Sequence, residues 1–384
     1  MPQDLTKFLH GVAKNLDGAV HIMNLDEVRT PYADRIPTGI MDLDIELKGG
    51  WPRGTVNQLW GVDGVGKNLI ANMNIAECQS KYGDASNVFY MSFGYKPDLD
   101  FMRKCGITLK FSDDELRQKG INPATATAGQ RGETIGNVVF IDVTEEDLAL
   151  QQPAESLLTA ANRMIDSGYF HLGVIDEMAS GETKDNVKKG LHEDAKIATW
   201  ASLITGFIRK AYTGLRKHGE DGTPNGTCIV VLQPVRANLD SFTAKFVPHV
   251  IPSGHSLKHA KAIDLHLKPG ANLLDGGDKI GKVIKWKIGK GKFGLNEGAE
   301  GEFRFLFFQP DGSGGVDAIA CLAQTAKAYG TVISRGKYSY ILDYDEKIEG
   351  GVDGVSALLR TNPALVTELR EATLKIAVTG EIST

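Results

Sequence analysis

The sequence predicts an α/β fold built around a mostly parallel central sheet. Short apolar strand patterns alternate with helical patterns between Thr55 and Gln233, and this alternation is typical of parallel strands joined by crossover helices. A glycine-rich loop containing a lysine follows the first of these strands, and a later strand ends in two acidic residues. Both features belong at the edge where open α/β sheets bind their ligands.

The predicted elements follow in a regular order. We expect strands at 55–60, 88–92, 137–143, 172–176 and 227–233, helices at 67–81, 153–167 and 194–218, and a further group of neighbouring strands at 262–268, 279–288 and 302–308. The stretch 119–136 is predicted to be an inserted surface loop. The last helix should start at Asn362-Pro363, a capping residue followed by proline at the first helical position. An amphipathic helix at 4–16 is expected to pack on its own chain, with docking on a neighbouring subunit as the alternative.

Composition narrows the class of protein. The chain has 384 residues, 42% of them hydrophobic, and a formal net charge of −5. This charge excludes a generally basic nucleic-acid coat but leaves room for a local basic groove. Without a signal-peptide pattern or an apolar run of membrane-spanning length, the protein is expected to be intracellular and away from membranes. Four widely separated cysteines predict reduced thiols.

The strongest local signal is the segment GVDGVGKN at residues 61–68, here called the phosphate loop. It matches a Walker A motif in all but its last residue. Glycines let backbone N–H groups and the helix N-terminus face phosphate oxygens, and Lys67 would reach the β- and γ-phosphates. The alternative is an ordinary glycine-rich turn before a helix. The residues expected to contact the nucleotide here are Gly61, Asp63, Gly64, Val65, Gly66, Lys67, Asn68 and Leu69.

Asn68 is the departure from this motif. A Ser or Thr hydroxyl normally stands there and ligates Mg²⁺, which prefers hard oxygens in tight octahedral geometry. The amide of Asn68 offers a carbonyl oxygen on a longer arm, so we expect weakened or water-mediated metal binding with nucleotide binding retained.

The apolar run His171–Ile175 leads into Asp176 and Glu177 and predicts a Walker B strand. Asp176 would hold Mg²⁺ through water at the carboxyl end of the strand. Glu177 would polarise the attacking water, or would be a solvated strand-end carboxylate, and geometry decides between these roles.

Seven segments in chain order resemble the bacterial RecA and phage UvsX-type recombinases. They are IPTGIMDLDIELKGGWPRG at 36–54, the second strand with its adenine-side segment at 89–106, VVLQPVR at 230–236, SGHSLK at 253–258, KVIKWK at 282–287, GKYSY at 336–340 and TNP at 361–363. The resemblance covers nearly the whole chain, which makes it more specific than the phosphate loop alone. Diverged catalytic positions would suit a phage-encoded member, acting in the cytoplasm of a bacterial host.

This resemblance implies a RecA-type P-loop core at 36–308, preceded by an N-terminal helix–strand polymerisation arm at 1–35 and followed by a small C-terminal α/β domain at 309–384. ATP, with Mg²⁺, would lie between adjacent protomers of a helical filament. Phe101 stands where an aromatic ring packs on adenine. Lys285 and Lys287 share one face of a strand, where they would need an anion that the neighbour's phosphates supply. The alternative is a solvated basic strand.

The resemblance also implies DNA contacts on two loops, at 181–196 and 237–254. The second loop holds residues suited to base stacking and phosphate contact, or is an irregular loop with incidental aromatics. The expected DNA-binding residues, with further phosphate candidates on the core side, are Arg209, Lys210, Arg236, Phe242, Lys245 and Phe246. Single-stranded and double-stranded DNA are the implied partners, together with other copies of this chain.

Two family features are missing or displaced. The catalytic glutamate expected at the end of the second strand is absent from the local sequence Met91 to Gly94. The γ-phosphate sensor glutamine is displaced, because Gln233 precedes Pro234, which occupies the family position. With Asn68, these departures predict slow or absent ATP turnover.

Three functional alternatives follow. The first is an ATP-dependent recombinase that coats single strands and exchanges them. The second is a degenerate paralogue that binds DNA or a partner filament without hydrolysis, and the third, a hexameric helicase, fits the terminal segments less well. A metal site at His249, His255, His259 and His266 is disfavoured, because no cysteine or carboxylate cluster accompanies them.

Overall fold

The computed structural model describes residues 30–94, 96–142, 153–178, 197–219, 222–237, 249–250, 254–309, 313–342, 344 and 346–379. The predicted helix at 4–16 and the first predicted DNA loop at 181–196 lie outside these residues. So do Phe242, Lys245 and Phe246 of the second loop.

Sixteen strands are present in the described residues, and we number them in chain order. They are β1 (Arg35–Ile36), β2 (Trp51–Pro52), β3 (Val56–Gly61), β4 (Asn87–Ser92), β5 (Asn137–Ile141), β6 (Leu172–Asp176), β7 (Cys228–Pro234), β8 (Arg236–Ala237), β9 (His249–Val250), β10 (Ile263–Asp275), β11 (Asp278–Gly291), β12 (Glu300–Leu306), β13 (Gly315–Val316), β14 (Val332–Arg335), β15 (Tyr338–Ile341) and β16 (Ile348–Glu349).

The α-helices in the same residues number eleven. They are α1 (Met41–Glu46), α2 (Lys67–Tyr82), α3 (Leu99–Lys104), α4 (Asp113–Gln118), α5 (Ala128–Arg131), α6 (Pro153–Ser167), α7 (Ile197–Leu215), α8 (Gly254–Ala260), α9 (Ala318–Ala328), α10 (Gly351–Thr361) and α11 (Pro363–Thr379).

A nine-stranded sheet forms the centre of the fold, in the order β13-β12-β11-β10-β3-β7-β6-β4-β5. Within the run β10-β3-β7-β6-β4-β5, every pair of neighbouring strands is parallel. The strands β10 to β13 pair antiparallel. The predicted α/β fold with a mostly parallel sheet is therefore confirmed, and the carboxyl ends of β3, β4, β6 and β7 meet along one edge.

Helices cover both faces of this sheet. Alternate residues of the parallel strands pack either on α2, in a cluster that includes Leu59 and Ile70, or on α6 and α7, in a cluster that includes Val56 and Phe207. This double coverage explains why β6 and β7 are buried along nearly their whole length. Strands buried on both faces need continuous apolar runs, which is the pattern that made them recognisable in the sequence.

The strands β10 and β11 are longer than the sequence indicated. The predicted strand ended at Lys268, but β10 continues to Asp275 through register irregularities around Pro269–Asn272 and Leu273/Leu274. A proline is tolerated at such an irregularity because its missing N–H breaks no regular ladder bond. The outer part of this hairpin is largely exposed and includes Leu274, which is 63% exposed.

The end of the chain has a small core of its own. Buried residues of α9, α10, α11 and the three-stranded sheet β14-β15-β16 pack together, among them Leu322, Ile341 and Leu359. The last helix begins at Pro363, as predicted, and the Asn362 side chain accepts a hydrogen bond from the Leu365 N–H. All four cysteines are free thiols. Among the described helices, none is both long and apolar enough to cross a membrane.

Candidate nucleotide-binding site

The phosphate loop connects the end of β3 to the start of α2. Gly66 caps the helix with a φ of 107°, and Gly64 has a φ of 67°. Both values favour glycine. A Cβ at Gly66 would also stand 2.8 Å from Cδ1 of Ile284, so β11 packs closely on the loop. The loop thus presents backbone N–H groups at the N-terminus of a 16-residue helix, which is the geometry that attracts phosphate.

Lys67 is held inside the phosphate loop. Its side chain is 4% exposed, and Nζ donates to the carbonyl oxygens of Gly61 at 3.2 Å and Val62 at 3.3 Å. Its ion-pair partner is Asp63, with Oδ1 at 3.5 Å and an 88% exposed side chain. Val65 and Leu69 are buried in the core at 2% and 3% exposure, so their side chains are not available to a nucleotide.

Asp176 and Asn68, the two predicted metal residues, are in direct contact. Asn68 Nδ2 donates to Asp176 Oδ2 at 2.9 Å, and the Tyr90 hydroxyl donates to the same oxygen at 2.6 Å. Asp176 lies at the end of β6, in register with Ser92 of β4. Burial raises the pKa of the Asp176 carboxyl, the Tyr90 hydrogen bond lowers it, and the negative charge of Glu177 raises it again. Burial of the ring also raises the pKa of Tyr90, which keeps its hydroxyl a donor.

The residues present fit a Mg²⁺ ion. Asp176 is 6% exposed, and its Oδ1 atom is buried without a hydrogen-bond partner among the described residues. A buried carboxylate oxygen of this kind needs a partner, and a metal-bound water would supply one. Asn68 uses its amide nitrogen on Asp176, which leaves its carbonyl oxygen as the group that could face a cation.

A cavity of about 490 Å³ extends from the phosphate loop to α3. Phe101 lines it, with its ring in an edge-to-face contact with Phe308 at 5.8 Å between centroids. Glu177 also lines it, with a φ of 49°. A left-handed backbone is uncommon for glutamate and clusters at functional sites. The residues lining the cavity are Asp63, Asn68, Asn72, Tyr90, Ser92, Gly94, Lys96, Pro97, Asp98, Phe101, Met102, Asp176 and Glu177.

Gln233 lies near the end of β7, in register with Trp60 of β3, and it does not line this cavity. Its side chain is fully buried, and neither its Oε1 nor its Nε2 atom has a hydrogen-bond partner among the described residues. Two unsatisfied atoms are costly in a buried amide. The Gln233 amide can therefore form further hydrogen bonds, but it does not line the nucleotide cavity in this structure.

Lys285 and Lys287 lie on one face of β11, while Ile284, Trp286 and Ile288 are buried on the other, as predicted. Both lysines are roughly half exposed, and neither lines the cavity. Each has a glutamate opposite it on β12: Nζ of Lys285 is 3.9 Å from Glu302, and Nζ of Lys287 is 3.4 Å from Glu300. We expected the lysine pair to need an anion from outside the chain. That expectation was incomplete, because the two glutamates already balance the charges of the two lysines.

The predicted DNA-binding residues are only partly described. Arg209 and Lys210 are exposed on α7. Arg236 lies in β8, which pairs with β9, and its side chain is outside the described residues. Within the described part of the chain no cluster of three or more His, Cys, Asp or Glu could hold a metal.

Two residues of this site were not predicted from the sequence. Tyr90 was treated as one apolar member of a strand, although its hydroxyl reaches the neighbouring strand. Lys282 was assigned to the lysine strand by resemblance, but its Nζ donates to the Gly64 carbonyl in the phosphate loop of its own chain. No sequence signal marks either contact, because each depends on the register between strands distant in sequence.

Comparisons with known proteins agree with this geometry. The RecA N-terminal domain family model matches residues 3–112. Protein RecA from Aquifex aeolicus is 24% identical over 352 residues, covering 91% of this chain and 85% of that protein. The Nostoc protein RecA is 24% identical over 370 residues, with coverages of 96% and 87%. The Syntrophus aciditrophicus protein RecA is 25% identical over 340 residues, with coverages of 88% and 82%.

The doubly covered sheet, with its phosphate loop after β3 and its acid after β6, defines a RecA-type α/β protein. The family-model match over residues 3–112 and the relatives that span most of the chain show that this protein is similar to RecA proteins.

Proposed function

We propose that this protein is an ATP-dependent recombinase that forms helical filaments on single-stranded DNA, pairs the strand with homologous duplex and exchanges strands in the cytoplasm. The observation that carries the proposal is the convergence of Asn68, Asp176 and Phe101 on one cavity beside the phosphate-loop lysine, in a chain similar to RecA proteins over most of its length.

Nucleotide binding is supported by charge and shape. The phosphate loop supplies N–H groups, a helix N-terminus and the Lys67 ammonium, and each of these favours an anion. The carbonyl oxygens now bonded to Lys67 are neutral acceptors, whereas a phosphate would place full negative charge opposite the ammonium and attract it more strongly. Phe101 lies farther along the same cavity, where a base could pack on its ring.

Slow turnover is supported by the residues at the end of β4. Ser92 and Gly94 line the cavity where the family's catalytic glutamate is expected, and neither can act as a carboxylate base. Glu177 lines the same cavity and is the candidate replacement. A positioned base contributes about 10²–10⁴-fold to rate, so its loss or displacement predicts a filament that hydrolyses ATP slowly.

Filament formation is supported by Lys285 and Lys287, which face away from their own nucleotide cavity. Exposed ion pairs such as theirs with Glu302 and Glu300 contribute about 0–1 kcal/mol. A neighbouring protomer's triphosphate, with several negative charges, could therefore replace the glutamates. ATP bound at such a junction would favour the extended filament by differential affinity.

The test is phosphate release by the purified chain, measured with and without single-stranded DNA. We expect a slow, DNA-stimulated rate that disappears in Lys67→Ala. Electron microscopy of the same samples should find filaments only with DNA and a triphosphate. A chain that binds neither ATP nor DNA would overturn the proposal.

The second candidate is a paralogue that binds DNA or a partner filament without hydrolysis. It is favoured by the Asn68–Asp176–Tyr90 contacts, which already occupy one oxygen of the metal carboxylate. ATP-dependent filaments without phosphate release would select it. Glu177→Gln separates the two further: loss of residual hydrolysis identifies Glu177 as the base, whereas an unchanged rate removes it from the mechanism.

A further inference from the structure

Lysines lie on both faces of β11. Lys282 is on the face towards the phosphate loop, and the proposed function gives it no role. Lys282 lies two residues before Ile284 on the same side of β11. Ile284 is the side chain that meets Gly66 of the phosphate loop. At this point Nζ of Lys282 donates to the carbonyl oxygen of Gly64.

The surroundings of Lys282 leave its charge unbalanced. Burial lowers the pKa of its ammonium, and the neighbouring charge of Lys279 lowers it further. Among the described residues, no carboxylate lies within 4.0 Å of the Lys282 ammonium, whereas Lys67, Lys285 and Lys287 each have one. A partly buried cation with only a carbonyl partner gains from a nearby anion.

The contact also fixes the loop itself. The Gly64 carbonyl is directed to Lys282, and the N–H of Val65, in the same peptide unit, donates to the Val62 carbonyl at 3.3 Å. Both polar groups of this peptide therefore have partners, and Gly64 is held at its left-handed φ. Because the Gly64 turn is already fixed by these hydrogen bonds, the phosphate loop loses less conformational entropy when it binds a ligand.

We propose that Lys282 is a positioning residue of the nucleotide site in its own chain, which holds the Gly64 turn and adds a second positive charge for the triphosphate. This role rests on the proposed nucleotide binding. It differs from the role assigned to Lys285 and Lys287, which would act on the neighbour's nucleotide from the opposite face of β11.

The test is equilibrium binding of a slowly hydrolysed ATP analogue without DNA, so that filament junctions do not contribute. We expect Lys282→Met to raise the Kd about tenfold, and Lys282→Arg to recover most of the affinity, because it keeps the charge and a donor. The matched control is Lys279→Met, on the same strand, where the exposed ammonium lies 5.6 Å from the Phe307 ring centroid. This variant should bind like the wild type.

Salt dependence separates charge from folding. The slope of log Kd against log salt should be smaller for Lys282→Met than for the wild type and unchanged for Lys279→Met, with equal thermal unfolding midpoints. Wild-type affinity and slope in Lys282→Met would overturn this inference alone, provided that Lys67→Ala abolishes binding. A wild-type protein that binds no ATP analogue would instead overturn the proposed function.

Discussion

Asn68 donates its side-chain N–H to Oδ2 of Asp176 across 2.9 Å, joining the last residue of the phosphate loop to the acid at the end of β6. The position that normally supplies a hydroxyl ligand for the metal is occupied by an amide, and this amide is hydrogen-bonded to the Asp176 carboxylate. The amide nitrogen cannot bind a cation, so only its carbonyl oxygen remains for that purpose. This contact is the structural reason to expect weak Mg²⁺ binding with an otherwise intact phosphate loop.

Replacing Asn68 by threonine should strengthen Mg²⁺ binding. The hydroxyl is a compact, hard oxygen donor, and it frees Asp176 Oδ2 from the amide. Because changes to ligands and their supporting groups typically alter metal affinity about 10–100-fold, we expect Asn68→Thr to reduce the Mg²⁺ concentration for half-maximal ATP binding about tenfold. Asn68→Ala is the control and should give no such gain. An unchanged Mg²⁺ titration in Asn68→Thr would contradict this assignment.

Removing the Tyr90 hydroxyl should change the pH dependence of Mg²⁺-dependent binding. The hydrogen bond from Tyr90 lowers the pKa of Asp176 against the larger effect of burial. Tyr90→Phe therefore raises that pKa further, and the carboxylate, which is the form that binds metal, is lost at a higher pH on acidification. The midpoint of a pH titration of ATP binding with Mg²⁺ should move upward. A midpoint that stays in place, with binding in Mg²⁺-free buffer also unaltered, would mean that Asp176 does not govern the metal.

Supplying a carboxylate at the end of β4 should accelerate hydrolysis. Gly94 is exposed in the cavity wall, and a Cβ built on it has no heavy atom within 4 Å. Its φ is outside the left-handed region, so a side chain is tolerated. We expect Gly94→Glu to raise DNA-stimulated phosphate release at least about tenfold, within the range for a positioned base.

Gly94→Gln controls for bulk in this experiment, since it has the same shape without a basic carboxylate. An equal rise in both variants would rule out base catalysis at this position. No rise in Gly94→Glu, despite normal ATP binding, would place the attacking water elsewhere in the cavity.

Two inactive variants should complement each other if nucleotide sites are shared between neighbours. Lys67→Ala lacks the phosphate-loop lysine, and the double variant Lys285→Ala, Lys287→Ala lacks the lysines offered to the neighbour. In an equal mixture, half of the sites keep Lys67 and half of their neighbours keep the lysine pair. About one junction in four is therefore complete in a head-to-tail polymer.

The mixture should recover a corresponding fraction of the wild-type DNA-stimulated rate, while each variant alone remains inactive. The double variant should still bind ATP as an isolated protomer. A mixture as inactive as its components would show that the lysine pair does not act on a neighbour's nucleotide.

The central strands, the long helices α2, α6 and α7 and the phosphate loop were predictable because they depend on local sequence. The buried strands β6 and β7 have continuous apolar runs. The start of α2 at Lys67 follows from the left-handed backbone of Gly66, a conformation that glycine favours. Lys285 and Lys287 were correctly placed on one face because side chains alternate along a strand.

Contacts that depend on the register between neighbouring strands were not predictable. Whether Tyr90 reaches Asp176 depends on the register of β4 with β6, and the glutamates opposite Lys285 and Lys287 depend on the register of β11 with β12. The strand predicted at 262–268 fell short of β10, which continues through an irregular register at Pro269 to Asp275.

The most direct test of the central claim is a cryo-EM structure of the chain with single-stranded DNA and a slowly hydrolysed ATP analogue. We predict a helical filament in which each analogue lies in the phosphate loop of one protomer, with Lys285 and Lys287 of the next protomer released from Glu302 and Glu300 and directed to its phosphates. Protomers that bind the analogue without polymerising on DNA, or a filament whose lysine pairs still face their own glutamates, would contradict it.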